Sequence, residues 1–161
     1  FISNLCLRAD GNILCLYQLV EKHGEILYNI IKEKVNDDRK VFFIHGGVAA
    51  EERERIRAIT EKENNAIIIA SYGTFSTGVN IRNLHNLIFA SPSKSRIRNL
   101  QSIGRGLRLG DSKTHATLYD ISDDLIYRDR ENYTLKHFQD RVKIYNEEQF
   151  EYEIHNVELK N

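Results

Sequence analysis

With 161 residues, 23 of them Lys or Arg and 23 Asp or Glu, the chain carries a formal net charge of zero. Its surface as a whole therefore cannot act as a polyelectrolyte, and any contact with phosphate must be local. The 41% apolar and 29% charged residues suit a globular domain with a sizeable core, and no apolar run nears the roughly 18 residues a membrane span needs.

No basic leader with a cleavage site opens the chain, which points to the cytosol. Cys6 and Cys15 are too few and too casually placed for a disulfide framework or a metal knuckle and are expected as reduced, partly buried thiols. The six histidines lack ligand spacing.

In chain order, Ile2, Leu5 and Cys6 stand at helical spacing before an Asp10-Gly11-Asn12 turn. The run ILCLY (13–17) is a strand covered on both faces. A helix is predicted over 19–35, with Val20, Leu27, Ile30 and Ile31 inward and Gly24 allowing close packing. VFFI (41–44) is a second strand, ending in His45-Gly46-Gly47. A charged helix follows, with Ile56 and Ile59 inward and Glu51 and Glu52 at the positive end of its dipole. AIIIA (66–70) is the third strand, SYGTFSTGVNI (71–81) a small, hydroxyl-rich loop, and LIFA (87–90) the fourth strand. THATLYDI (114–121) is the fifth, with Asp120, Asp123 and Asp124 read as a solvated loop rather than as metal ligands. A helix over 131–149 turns Phe138, Val142 and Tyr145 inward, and the alternation from Phe150 to Leu159 predicts a terminal edge strand with a bulge.

This alternation predicts an α/β domain, a mostly parallel sheet with helices on both faces. Ligands of such sheets sit beyond the carboxyl ends of the strands, where 45–47, 71–81 and 91–95 fall. Gly46 and Gly47 let another chain approach closely and free amides for phosphate, although an ordinary strand-to-helix turn needs no more. Ser71, Gly73, Thr74, Ser76, Thr77 and Gly78 can grip sugar and phosphate, or equally cap a helix. The most charged stretch, SPSKSRIRNLQSIGRGLRLG (91–110), holds Lys94, Arg96, Arg98, Arg105 and Arg108 with no acidic residue before Asp111. If 96–108 is helical, Gln101, Arg105 and Arg108 fall within about 60° of one another beside an apolar stripe of Leu100, Ile103 and Leu107. A plain amphipathic helix would show the same stripe. No GxxxxGK[ST] loop occurs, so the chain has a positive clamp without a phosphate cradle, and its substrate must be presented by something else.

Taken in order, these segments resemble the second RecA-like domain of superfamily-two helicases, and most closely the phage UvsW type. Gln101-Ser-Ile-Gly104-Arg105-Gly-Leu-Arg108 is similar to motif VI (QxxGRxxR), 71–81 to motif V, 13–17 to motif IV, and the His45-Gly46 turn with Arg53 to motif IVa. The resemblance implies a RecA-like three-layer αβα fold, a P-loop NTPase fold lacking its own P-loop. It implies one domain over 1–161, a fragment of a longer two-domain motor, an expectation to which the absence of Met and the start at Phe1 add. It further implies that Arg105 and Arg108 reach the γ-phosphate of ATP held, with Mg2+, mainly by a first RecA-like domain, Arg108 being the stronger arginine-finger candidate. Gln101, Gly78 and Asn80 would complete the nucleotide side. Gly46, Gly47, Arg53, Ser71, Tyr72, Gly73, Lys94 and Ser95 would face the DNA backbone.

Two departures stand out. Asn80 replaces the usual aspartate, and the motif V loop from Ser71 to Gly78 is one residue longer than in DEAD-box relatives, which leaves the assignment of Ser71 and Tyr72 open. The expected function is the C-terminal motor domain of an ATP-dependent DNA helicase acting on branched DNA in repair, recombination or fork remodelling. The expected setting is the cytoplasm of a bacterium or phage-infected cell, with the fragment monomeric, away from membranes and inactive alone. The alternatives are a restriction-enzyme translocase and a non-catalytic nucleic-acid-binding adaptor.

Overall fold

Five short strands pair into one parallel sheet in the computed structural model, which describes residues 1–36, 38–78, 81–91, 95, 100, 101, 103, 104, 115–125 and 131–159, the side chains of 76–78 excepted. The elements are α1 (Ile2–Arg8), β1 (Ile13–Tyr17), α2 (Glu25–Lys34), β2 (Val41–Ile44), α3 (Ala50–Thr60), β3 (Ile67–Ser71), α4 (Tyr72–Gly78), β4 (Asn86–Phe89), β5 (Thr117–Asp120) and α5 (Tyr133–Glu147). The strand order is β2-β3-β1-β4-β5, with every pairing parallel. β1, the middle strand, is buried along its whole length, which is why it reads as an unbroken apolar run.

Side chains alternate across the sheet. Leu14, Leu16, Ile68, Ala70, Leu87 and Phe89 join one cluster with Ile56 of α3, Phe75 of α4, Ile103 and Tyr145 of α5. Ile13, Cys15, Tyr17, Ile67, Ile69 and Ile88 join another with Cys6 of α1 and Ile31 of α2. The result is the three-layer αβα arrangement expected. The chain moves from β1 out to β2 by way of α2 on one face. It returns through β3 and β4 by way of α3 and α4 on the other, the pattern that right-handed crossovers require.

The predicted helix over 19–35 is two pieces, a π-helical turn (Val20–Gly24) leading into α2. Gly24 is the close-packing point anticipated, because a Cβ there would collide with the ring of Tyr17. That ring stacks on Phe43 at 5.7 Å, and its hydroxyl donates to the Ile44 carbonyl at 3.2 Å. Cys6 and Cys15 are free and wholly buried, and the Cys15 thiol is pushed up by its hydrogen bond with Cys6 and by burial.

Two expectations fail. Residues 150–159 form no strand; the alternating Phe150 and Tyr152 rings lie against Tyr145, each at 6.2 Å, while Ile154, Val157 and Leu159 stay exposed. The apolar face of this segment is used up on one tyrosine, and among the described residues no neighbouring strand takes its backbone groups. Residues 72–78, read as loop, are helix α4, because Ser71 caps them: its hydroxyl lies 2.8 Å from that of Thr74 and accepts from the Thr74 amide at 3.3 Å.

The amino edge of the sheet is sealed by buried Asn12. Its amide donates to the carbonyls of Thr60 (3.0 Å), Glu63 (2.6 Å) and Asn83 (2.7 Å), and its Oδ1 accepts from the Ala66 amide (2.8 Å). Arg39 adds donations to the carbonyls of Leu7, Ala9, Gly11 and Asn65. Asn12→Ala strands these buried groups and should cost about 3 kcal/mol or more. Gly24→Ala should cost about 1 to 3 kcal/mol by overpacking. Urea unfolding monitored by far-ultraviolet circular dichroism checks both; an unchanged midpoint for Asn12→Ala would show that the seal does not hold the fold together.

Candidate functional site

The registers place Ile44, Ala70, Leu16, Phe89 and Asp120 side by side at the carboxyl edge. At about 4.8 Å per strand, that edge is about 19 Å wide. On it converge His45-Gly46-Gly47 after β2, Ser71-Tyr72-Gly73 after β3, Gln18 after β1 and Ser91 after β4. The Gln18 amide donates to Ser91 Oγ at 2.9 Å and ties the two central strands together.

Gly46 and Gly73 are exposed, and a Cβ on either would meet nothing. Neither has the positive φ that favours glycine. The chain's own packing and backbone therefore do not require glycine here, which leaves room for a ligand to lie against the main chain. Gly104 has the same open surroundings. At the other glycine of the turn, the Gly47 amide donates to His45 Nδ1 at 3.2 Å.

Arg53, on the first turns of α3, is half-buried. Its helix neighbours are paired, Arg55 with Glu52 at 2.7 Å and Arg57 with Glu54 at 2.7 Å. Among the described residues Arg53 has no carboxylate partner, and its buried Nε donates to nothing. An arginine so placed is available to an external anion.

Other candidate residues separate. Ser71 Oγ is engaged in capping α4. Tyr72 is 2% exposed, with its ring 5.6 Å from that of Phe89, so its side chain belongs to the core and not to a ligand track. Ser95 is half-buried, and Gly78 ends α4. Leu100, Gln101, Ile103 and Gly104 have helical backbone, with Gln101 exposed and Ile103 buried, as the predicted two-sided helix requires. Asn80, Lys94, Arg105 and Arg108 lie outside the described residues, as does Leu107 of the apolar stripe.

The sequence reading missed a buried ion pair. Asp120 is not solvated: its side chain is 8% exposed and that of Arg141 is 1% exposed. Arg141 donates through Nε at 2.7 Å and Nη2 at 2.8 Å, and the Tyr145 hydroxyl donates at 2.6 Å to the same carboxylate. The signal was present, since Asp120 has the inward parity of Leu118 and Arg141 stands one turn before Tyr145. Burial, and after it the nearby Asp120 carboxylate, holds the phenols of Tyr72 and Tyr145 above their ordinary value. Among the described residues no three His, Cys, Asp or Glu side chains gather as a metal site, and no helix is long and apolar enough to cross a membrane.

The carboxyl edge thus carries open glycines, an arginine without a carboxylate partner among the described residues, and beyond β4 helical backbone with Gln101 exposed and Ile103 buried. The model of the helicase conserved C-terminal domain matches residues 1–110, and the chain belongs to that family. In particular, the chain is 37% identical to the ATP-dependent DNA helicase UvsW of Enterobacteria phage T4 along 99% of its own length and 34% of that protein's. The solved structure of T4 UvsW superposes with a TM-score of 0.72 at 35% identity, covering 91% of this chain and 32% of that one. The yeast DEAD-box splicing factor Prp28, at a TM-score of 0.67 and 18% identity over 91% of this chain and 29% of its own, shares the fold alone. The chain thus spans about a third of the length of its UvsW relative.

Gly73→Ala should leave thermal stability unchanged or raise it by up to about 1 kcal/mol, since alanine is the better helix former and the space is open. Differential scanning calorimetry tests this, and a lowered midpoint would show that the glycine serves packing. A second expectation follows from the phenols. Tyr17, Tyr72 and Tyr145 have folded-state values raised above 10, chiefly by burial. Their contribution to stability is complete below about pH 10 and is lost as pH rises beyond it. Melting midpoints should fall above about pH 10, less steeply for Tyr145→Phe than for the parent.

Proposed function

We propose that the chain is the C-terminal motor domain of an ATP-dependent DNA helicase or translocase, one domain of a longer two-domain motor. The observation that carries this reading is the agreement with the T4 helicase along 99% of the chain. The open glycines and unpaired Arg53 at one sheet edge support it.

In this reading the first RecA-like domain holds ATP with its Mg2+, and this domain closes over it. Arg105 and Arg108 meet the γ-phosphate, with Arg108 as the arginine finger; Gln101, Gly78 and Asn80 complete the nucleotide side. A planar guanidinium fork matches phosphate oxygens in a way that lysine does not. A finger of this kind contributes ~10³ to 10⁵ in rate, about 4 to 7 kcal/mol of transition-state stabilisation. Asn80, in place of the usual aspartate, keeps hydrogen-bonding capacity without the charge.

Gly46, Gly47, Arg53, the backbone at Ser71-Tyr72-Gly73, Lys94 and Ser95 form the DNA track. They grip phosphates and not base edges, so binding is independent of sequence. Closure with ATP and reopening after hydrolysis move that grip along one strand. Branched DNA in repair, recombination or fork remodelling is the substrate class, in the cytoplasm of a bacterium or phage-infected cell. The isolated domain is monomeric and inactive, because half of the site lies on another domain.

In the full-length protein Arg108→Ala should lower DNA-stimulated ATP hydrolysis by ~10³-fold or more while DNA affinity stays within about threefold. A coupled-enzyme ATPase assay beside fluorescence anisotropy with a forked oligonucleotide decides it, and an unchanged rate would sink the finger assignment. Arg53→Gln should weaken DNA binding equally for unrelated sequences and flatten its salt dependence by about one phosphate's worth of slope. Robust turnover by residues 1–161 alone would contradict the two-domain reading.

A further inference from the structure

The ion pair at the end of β5 has no part in the reading above, although it stands at the same edge of the sheet. α5 buries only Arg141, Ile144 and Tyr145. Two of these three, one helical turn apart, converge on the single carboxylate of Asp120, which accepts three hydrogen bonds of 2.6–2.8 Å. The Tyr145 ring belongs to the same apolar cluster as Tyr72 and Phe75 of α4 and as Ile103, the residue by which the helical backbone before Arg105 enters the core. Tyr72 lies close enough to feel the charges of both Asp120 and Arg141.

We propose that Asp120, Arg141 and Tyr145 are positioning residues of the motor: they fix α5 against the sheet, and α5 holds α4 and the helical backbone at Leu100, Gln101, Ile103 and Gly104 where the phosphate-contacting residues are needed. This inference rests on the motor reading for its catalytic consequence, though not for the anchoring itself. A buried ion pair is a poor source of net stability compared with an apolar contact. Its bidentate geometry does fix direction, because a guanidinium fork meets a carboxylate in one plane only. A helix held this way has one register, and the groups resting on it have one position. Misplacing a reacting group by about 1 Å costs about 10²-fold in rate, so a small change at the anchor is amplified at the site.

The test is Tyr145→Phe, which keeps the ring and removes one of the three hydrogen bonds, with Asp120→Asn as the stronger change. Both are made in the full-length protein. ATP turnover at saturating forked DNA is measured together with amide hydrogen exchange of peptides covering 72–78 and 100–104. The expected result is a kcat lowered about tenfold by Tyr145→Phe and further by Asp120→Asn, with KM for ATP and DNA affinity within about twofold. Exchange in 72–78 and 100–104 should quicken about tenfold while that of β1 and β3 is unchanged. Unchanged exchange in those two segments, an unchanged kcat, or faster exchange throughout the sheet overturns the proposal, the last because it marks a general loss of stability. If the unaltered protein shows no DNA-stimulated turnover, the motor reading fails, and the exchange measurement alone still decides whether the anchor orders the two segments.

Discussion

The structure depends on one buried amide. A parallel sheet ends in two rows of loops, and here the amino-edge row is closed by Asn12, whose side chain joins the end of α3, the approach to β3 and the approach to β4 to the start of the middle strand. Because Asn12 bonds main-chain atoms, it fixes backbone positions irrespective of neighbouring side chains. Register set at that edge is carried along strands of four or five residues to the other. The carboxyl-edge loops can therefore remain open without loosening the sheet; they carry Gly46 and Gly73, and Arg53 stands on the helix that follows β2. The Asn12 seal and the open glycines stand at opposite ends of the same short strands.

How much of this was legible in the sequence depended on whether a residue's partner was near in the pattern. β1, β2 and β3 could be read because both faces are covered and the runs are apolar, save for Ser71 at the end of β3. Gly24 was legible as a packing point, but not the ring of Tyr17 that demands it. The hydroxyls around Ser71 could equally serve a ligand or a cap, and the choice turned on a hydrogen bond to Thr74, which composition does not encode. Asp120 was obscured by Asp123 and Asp124: three acidic residues in five look like a loop, and only parity with Leu118 separates the buried one. The 150–159 segment failed for the opposite reason. Its alternation is genuine, but alternation describes a face to be covered and does not supply a neighbouring strand. Motif order gave the family correctly and strand alternation the parallel sheet, while Tyr72 shows that membership of a motif does not say which way a side chain points.

The two kinds of charge in the domain differ in their physical role. Glu52–Arg55 and Glu54–Arg57 are exposed pairs on one helix, whose attraction solvent largely screens. Their effect at Arg53 matters more than their own energy: with its neighbours paired, Arg53 is left with charge that no described group neutralises. Asp120 and Arg141 are the reverse, a buried pair whose desolvation offsets most of its attraction. What such a pair contributes is direction, and it lies on the face of the sheet where α4, Ile103 and α5 meet.

That face gives the domain an asymmetry with consequences for how it works. The cluster containing Cys6, Ile31 and Tyr17 closes over α1 and α2 and rests on aromatic stacking and buried thiols. The opposite cluster contains the elements that lead into the candidate site, and Tyr145 brings a polar anchor into it. A motor domain must pass a change at a phosphate to a change at a nucleic-acid track without deforming its sheet. On this face α3 and α4 pack through apolar side chains while α5 adds a directional anchor, and close-packed cores respond by switching between discrete arrangements and not by gradual deformation. The α1–α2 face backs the sheet on one side, and α4, Ile103 and α5 meet on the other.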